Sequence, residues 1–200
     1  MTVTKLEPQK RRKDRWSVYL DGEFAFGLGE VDLLYYKLRE GAEISLERVE
    51  YIRDQIVLTE ASQKALDYLS YRPRTVKEVE KKLTGDYAPD IITRVMDMLY
   101  SYKYIDDAAY AAEYVKERAS AGYGPRKIEW ELRERGVGRE LIDAALEQVE
   151  GERVRIAAAA LRARYRNKPV MDDKERSRAF GFLARRGFDA ETADEALRLL

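Results

Sequence analysis

The chain contains neither cysteine nor histidine. Without cysteine there are no disulfides and no thiolate metal sites, a composition that fits a cytoplasmic location. The missing histidine excludes more. No imidazole exists for a Ser–His or Cys–His nucleophile pair, and no ordinary zinc site can be assembled. No apolar run approaches the roughly 18 residues that a membrane span needs, and no apolar signal region opens the chain. The glycines match neither a P-loop nor a dinucleotide-binding spacing. Carboxylates are plentiful, but they sit in mixed-charge helical runs, where a solvated face is expected rather than magnesium binding or acid–base work. The expectation is a non-enzymatic protein with no cofactor, no metal and no membrane segment.

What is present suits a folded chain. In 200 residues, 45% are hydrophobic and 37% charged, enough for a real core under a large solvated surface. The net charge is zero, yet it is unevenly spread. Residues 1–16 hold six basic and two acidic residues, net +4, and 153–186 hold eleven and three, net +8. Acidic stretches elsewhere offset these two islands, so the surface carries electrostatic addresses despite its neutral sum.

Strand signals are confined to the start. Arg15–Leu20 and Glu23–Leu28 are short aromatic and β-branched runs flanking Asp21-Gly22, a strong signal for a type I′ hairpin turn. Val3–Leu6 can add a third strand, with the basic tract Lys10, Arg11, Arg12 and Lys13 as its loop, and Val31–Leu38 offers a covering helix ended by Gly41. From Ser45 onward the pattern is helical. Ser45 can cap a helix through Val49, Ile52 and Ile56 toward Ala65 and Leu69, and Thr75-Val-Lys-Glu78 reads as a capping box.

Three segments then fall into register. Val79 and Leu83 precede Ile92, Val95, Met96 and Leu99; Ile128 and Leu132 precede Ile142, Ala145, Leu146 and Val149; Ala179 and Leu183 precede Ala193, Ala196, Leu197 and Leu200. In each, the last four residues keep the i, i+3, i+4, i+7 spacing of one helical face. Leu83, Leu132 and Leu183 are separated by 49 and 51 residues, and each unit has a further helix before it. The fold class expected is mainly α: three tandem three-helix repeats forming an elongated, curved monomer, with a small strand-rich unit at the N-terminus. The boundaries read as 1–44 for the strand-rich unit with its covering helix, 45–106 for a linker helix and the first repeat, 107–151 for the second and 152–200 for the third.

The middle repeat is the most specific. Asp106 or Asp107 can cap its first helix, Gly122 stops it, and Gly124-Pro125 starts the next with proline at the tolerated first position. Gly136 ends that second helix. Tyr104-Ile-Asp-Asp107, Tyr110, Tyr114-Val115, Arg118, Gly122-Tyr-Gly-Pro125, Ile128, Glu131-Leu132 and Arg135-Gly-Val137 together resemble the signature of RecX, the bacterial regulator of RecA recombinase. Ala65–Tyr68 with Arg72–Thr75, and Phe180–Phe188, are similar to the family's first and third repeats. The resemblance implies a non-enzymatic modulator that binds the RecA–single-stranded DNA filament, lies in its groove and restrains filament growth, ATP hydrolysis and strand exchange.

Two basic surfaces are candidate contacts for RecA or DNA. One is the island of Arg162, Arg164, Arg166, Lys168, Lys174, Arg176, Arg178, Arg185 and Arg186, in which Arg162 and Arg166 are expected to share a helix face while Arg164 points away. The other is Arg126, Lys127, Arg133 and Arg135, where Glu129, Glu131 and Glu134 alternate with them and can pair locally. Trp16, Trp130 and most of the fourteen tyrosines are expected to pack, although tyrosines near helix ends can stack on bases. A direct nucleic-acid-binding scaffold independent of RecA is the alternative reading. An adaptor acting only on other proteins is a third.

Overall fold

The computed structural model describes residues 1–9, 14–166 and 172–199. The chain forms two compact units, residues 1–64 with 87–95, and residues 65–86 with 96–200. The Lys10–Lys13 tract, Lys168 and Leu200 lie outside the described residues.

The first unit begins with a three-stranded antiparallel sheet, β1 (Val3–Pro8), β2 (Arg15–Leu20) and β3 (Glu23–Gly29), in that order. Asp21 and Gly22 turn β2 into β3 with φ of 50° and 90°, the two positive angles that a type I′ hairpin requires. Val3, Val18, Leu20, Phe26 and Leu28 form one buried face of the sheet. The helix expected from Val31–Leu38 covers this face only in part, through Leu33 with Tyr36 and Leu38 beside it. That stretch gives only α1 (Glu30–Tyr35), which buries Leu33 and leaves Val31, Leu34 and Tyr35 exposed. Val49 and Ile52 complete the core from the start of α2 (Leu46–Ser70), whose first turn is capped by Ser45 through the Arg48 amide at 3.2 Å.

The helices that follow are α3 (Val76–Leu83), α4 (Pro89–Ser101), α5 (Asp107–Ser120), α6 (Pro125–Glu134), α7 (Arg139–Glu147), α8 (Arg153–Tyr165), α9 (Asp173–Arg185) and α10 (Ala190–Arg198). The second repeat, α5 to α7, closes on Ala111, Val115, Ile128, Leu132, Ile142 and Ala145. The third, α8 to α10, closes on Ala157, Leu161, Ala179, Leu183, Ala193 and Leu197. These are the registered stripes. In the first repeat only the first member differs: Ile91 is buried in place of Ile92, which is half-buried, while Val95, Met96 and Leu99 are buried as expected.

One junction recurs within the second unit. Thr75 and Glu78 make the capping box of α3, and the Thr75 hydroxyl also donates to the carbonyl of Arg135 at the end of α6 (2.7 Å). Asp107 joins the same junction. Asp106 caps α5 through the Ala109 amide at 2.9 Å, whereas the Asp107 carboxylate accepts the Val76 amide of α3, also at 2.9 Å. Burial pushes the Asp107 carboxyl up, and the Val76 hydrogen bond opposes that shift. At the equivalent place one repeat later, the Gly124 amide at the start of α6 donates to the carbonyl of Arg186 after α9 (2.7 Å), and the Arg126 amide to that of Gly187 (3.2 Å). The helix ends so docked carry Gly136 and Gly187, with φ of 82° and 91°. A Cβ on Gly136 would lie 2.5 Å from the Lys77 Cβ, and one on Gly187 would lie 2.4 Å from the Lys127 nitrogen.

Inside the second repeat, α5 and α6 are tied by a half-buried ion pair. Glu131 accepts two 2.7 Å hydrogen bonds from Arg118, and the Tyr114 hydroxyl donates to it at 2.8 Å. Burial pushes the Glu131 carboxyl up, but the bonds from Arg118 and Tyr114 outweigh it and hold the group below its ordinary value. Burial, then the bond to Glu131, pushes the Tyr114 hydroxyl up to about 12.

Two outcomes follow from this packing. Gly187→Ala combines left-handed backbone with a clash against the α6 main chain, so urea unfolding should show a loss of roughly 2–4 kcal/mol. Gly151→Ala is the control, since open space surrounds that position and its φ is not positive, and it should change stability by no more than about 0.5 kcal/mol. Glu131→Gln leaves Arg118 unpaired and should lose about 2–3 kcal/mol at pH 7. Because the folded carboxyl titrates below the unfolded one, its stabilisation is complete above the unfolded value and drains as pH falls through the folded value. The gap between wild type and Glu131→Gln should therefore shrink below the ordinary glutamate value of 4.5, measured by melts across pH.

Candidate functional site

The basic island of the third repeat is divided by the way its helices end. α8 stops at Tyr165, and Arg166 takes left-handed backbone with φ of 51°. Arg162 and Arg166 therefore do not share a helix face as expected. Arg162 instead donates to the Leu199 carbonyl at 3.2 Å. Asp172 restarts the chain by capping α9 through the Glu175 amide. Along α9, Lys174, Arg178 and Arg185 are spaced i, i+4, i+11, all exposed, with no ion pair to hold them among the described residues. Arg176 on another face is bound to Asp194, which Arg198 also contacts.

Arg164 and Arg186 are turned the other way. Each guanidinium lies 4.8 Å from the Phe182 ring centre. Arg186 is held further by donating to the carbonyls of Ala121 and Gly122 at 2.7 and 3.0 Å, and it also covers Tyr123. These residues border a cleft of about 830 Å³ formed by the end of α5, by α8 and by α9. Lys116 and Arg155, both exposed, add two further cations, and Glu152 is its one carboxylate. Lys116 and Arg155 escaped the sequence reading because they belong to different repeats. A signal did exist: Arg155, Ala159 and Ala163 lie at i, i+4, i+8 on one face of α8.

The middle-repeat candidates are mostly engaged. Arg135 donates to the Glu131 carbonyl at 2.8 Å and lies over Tyr114. Arg133 pairs with Glu129, and Lys127 sits 4.1 Å from the Trp130 ring centre and 3.9 Å from Glu131. Arg126 is exposed at the start of α6. The Thr192 amide foremost, with the charges of Arg126 and Arg153 behind it, holds the Asp189 carboxyl below its ordinary value. Trp130 was expected to pack, yet it is 54% exposed, with only Lys127 across its face. Trp16 does pack against the N-terminal core. Most tyrosines are at least half-buried, but Tyr35, Tyr51 and Tyr71 are exposed against expectation, and Tyr100, Tyr102 and Tyr104, near helix ends where either reading stood, are exposed too. Tyr35 and Tyr51 meet the Tyr36 ring and Tyr102 meets Tyr104, so these rings pair with one another at the surface.

Among the described residues no group of three or more acidic side chains is placed to hold a metal ion, and no helix is long and apolar enough to cross a membrane. The arrangement offers fixed and free cations around an apolar floor, which is chemistry for binding.

Known proteins resemble this chain in sequence and fold. Residues 1–45 match the family model described as the regulatory protein RecX N-terminal domain, and 61–99, 106–146 and 150–197 match the RecX first, second and third three-helix domains. Regulatory protein RecX of Levilactobacillus brevis is 37% identical, covering 99% of this chain and 76% of its own. That of Bacillus licheniformis is 33% identical over 98% of this chain and 76% of its own. The Limosilactobacillus reuteri protein is 36% identical over 84% of this chain, and the match spans 65% of that relative's length. A crystal structure of regulatory protein RecX superposes with a TM-score of 0.72 at 33% identity, covering 100% of this chain and 99% of the other. RecX from Lactobacillus salivarius gives 0.64 at 26% identity over 73% of this chain and 99% of its own. From its strand-rich start through all three helical units, the chain belongs to the RecX family of regulatory proteins.

Proposed function

We propose that this protein is a non-enzymatic regulator of RecA recombinase that acts in the cytoplasm during DNA repair and recombination. It seats on the RecA–single-stranded DNA filament, in the filament's groove, and restrains filament growth, ATP hydrolysis and strand exchange. The observation that carries the reading is the match of four consecutive regions, in order, to the four parts of the RecX family. The free cations Lys174, Arg178 and Arg185 with Arg126 support it. They need break no internal ion pair to meet phosphates or acidic patches, whereas Arg176 and Arg133 must first leave theirs, and Arg135 its bond to the Glu131 carbonyl.

The test is a titration of this protein, as a monomer, into RecA hydrolysing ATP on single-stranded DNA. Hydrolysis should fall with increasing protein, and the half-inhibitory concentration should rise with salt by about one counterion per phosphate met. The triple variant Lys174→Glu/Arg178→Glu/Arg185→Glu should keep the wild-type melting temperature while needing at least tenfold more protein. A folded variant acting at full strength would remove α9 from the contact surface. An unchanged ATPase at every ratio, with tight binding to bare oligonucleotide, would favour the nucleic-acid scaffold instead.

A further inference from the structure

We propose that the cleft bounded by α5, α8 and α9 is a docking groove for an acidic helical segment of a partner protein. The inference rests on the reading above that the protein acts through a protein partner, and it gives the chemistry of one contact. Its floor is made of small side chains: Ala159 and Ala163 on α8 are exposed although apolar, with Ala160 and Ile156 beside them. From Arg155 to Arg164 that face runs about 14 Å, some two and a half helical turns. Small residues over such a length let another helix approach closely, as in helix-in-groove recognition.

Charge selects the occupant. Four cations and one carboxylate border the groove, so carboxylates on an incoming segment find partners at both ends and along one wall. The α5 C-terminus would repel an anion through its exposed carbonyls. Arg186 reverses that local field, because it already donates to the Ala121 and Gly122 carbonyls and is fixed before anything binds. Lys116 and Arg155 remain free to adjust.

A single nucleic-acid strand fits this groove less well. The one ring on its floor, Phe182, already has a guanidinium from Arg164 and another from Arg186 at 4.8 Å, so a base must compete with two cations for its faces.

The test uses the full chain and a defined probe: a capped Ala/Leu/Glu peptide of about 14 residues, long enough for marginal helicity, beside its Glu→Gln counterpart. Amide shifts in ¹⁵N spectra should centre on Ala159, Ala163 and Phe182, and the Glu peptide should bind at least tenfold more tightly than the Gln one. Ala163→Trp, filling an exposed position, and Lys116→Glu/Arg155→Glu should each weaken binding at least tenfold, while the α9 triple variant should leave it unchanged. Equal binding of the two peptides, undiminished binding to Ala163→Trp, shifts along the outer face of α9, or displacement from the cleft by a single-stranded oligonucleotide would each overturn the proposal. A RecA ATPase that ignores the protein would remove the filament reading and leave the peptide result standing, so the two can fail separately.

Discussion

At Gly136 and Gly187, the end of one repeat's second helix lies against the start of the second helix of the repeat before it, too close for any side chain. Two demands coincide there. The helix must end in left-handed backbone, and the backbone itself must touch the neighbouring helix, so glycine answers both at once. Arg186 stands next to the second of these glycines and works through main chain and side chain together. Its carbonyl accepts from Gly124 while its guanidinium binds Ala121 and Gly122. Second and third repeats are thereby held at three points around Arg186, and the cleft walls are set by the same bonds.

Much of this was legible because it is local. The Asp21-Gly22 hairpin, the Thr75 capping box, the Ser45 cap and the glycine stops each depend on residues within a few positions of one another. The repeat added longer range without adding a new rule, since three registered stripes imply three similar cores. Features that depend on where two repeats meet were not legible. Asp107 looks like an alternative cap for its own helix, and only the junction shows it serving α3. Arg166 looks like one more helical arginine, but its left-handed backbone ends α8. Trp130 looks like a core residue because tryptophan usually is. It lies on the outer face of α6, opposite Ile128 and Leu132, with Lys127 across its ring.

For the candidate surfaces, sequence supplied the basic islands but could not sort them. The sorting depends on which carboxylates reach which cations, and the third repeat shows how that is decided. Its acids are drawn to helix starts and to one shared pair: Asp172 caps α9, Asp189 caps α10, and Asp194 takes Arg176 and Arg198 together. A carboxylate at a helix start faces two attractions, the orphan amides and the positive end of the dipole, and both keep it away from surface cations. Lys174, Arg178 and Arg185 are thus left without compensation, although the chain as a whole is neutral.

That arrangement has a consequence for recognition. A free cation on a helix surface gains little from a single exposed partner, since solvent screening leaves such pairs worth about 0–1 kcal/mol. Several free cations at fixed helical spacing gain more from a polyanionic surface, because each contact releases counterions without reordering the helix that carries it. The cleft works on the opposite principle: Arg186 is fixed by the Ala121 and Gly122 carbonyls, with Arg164 against the same Phe182 ring, and the apolar floor excludes water from a partner that fits. Under the proposed function, neighbouring faces of α9 divide the work: the stripe would attract a charged filament over a distance, and the groove would fix the register of a protein segment upon it.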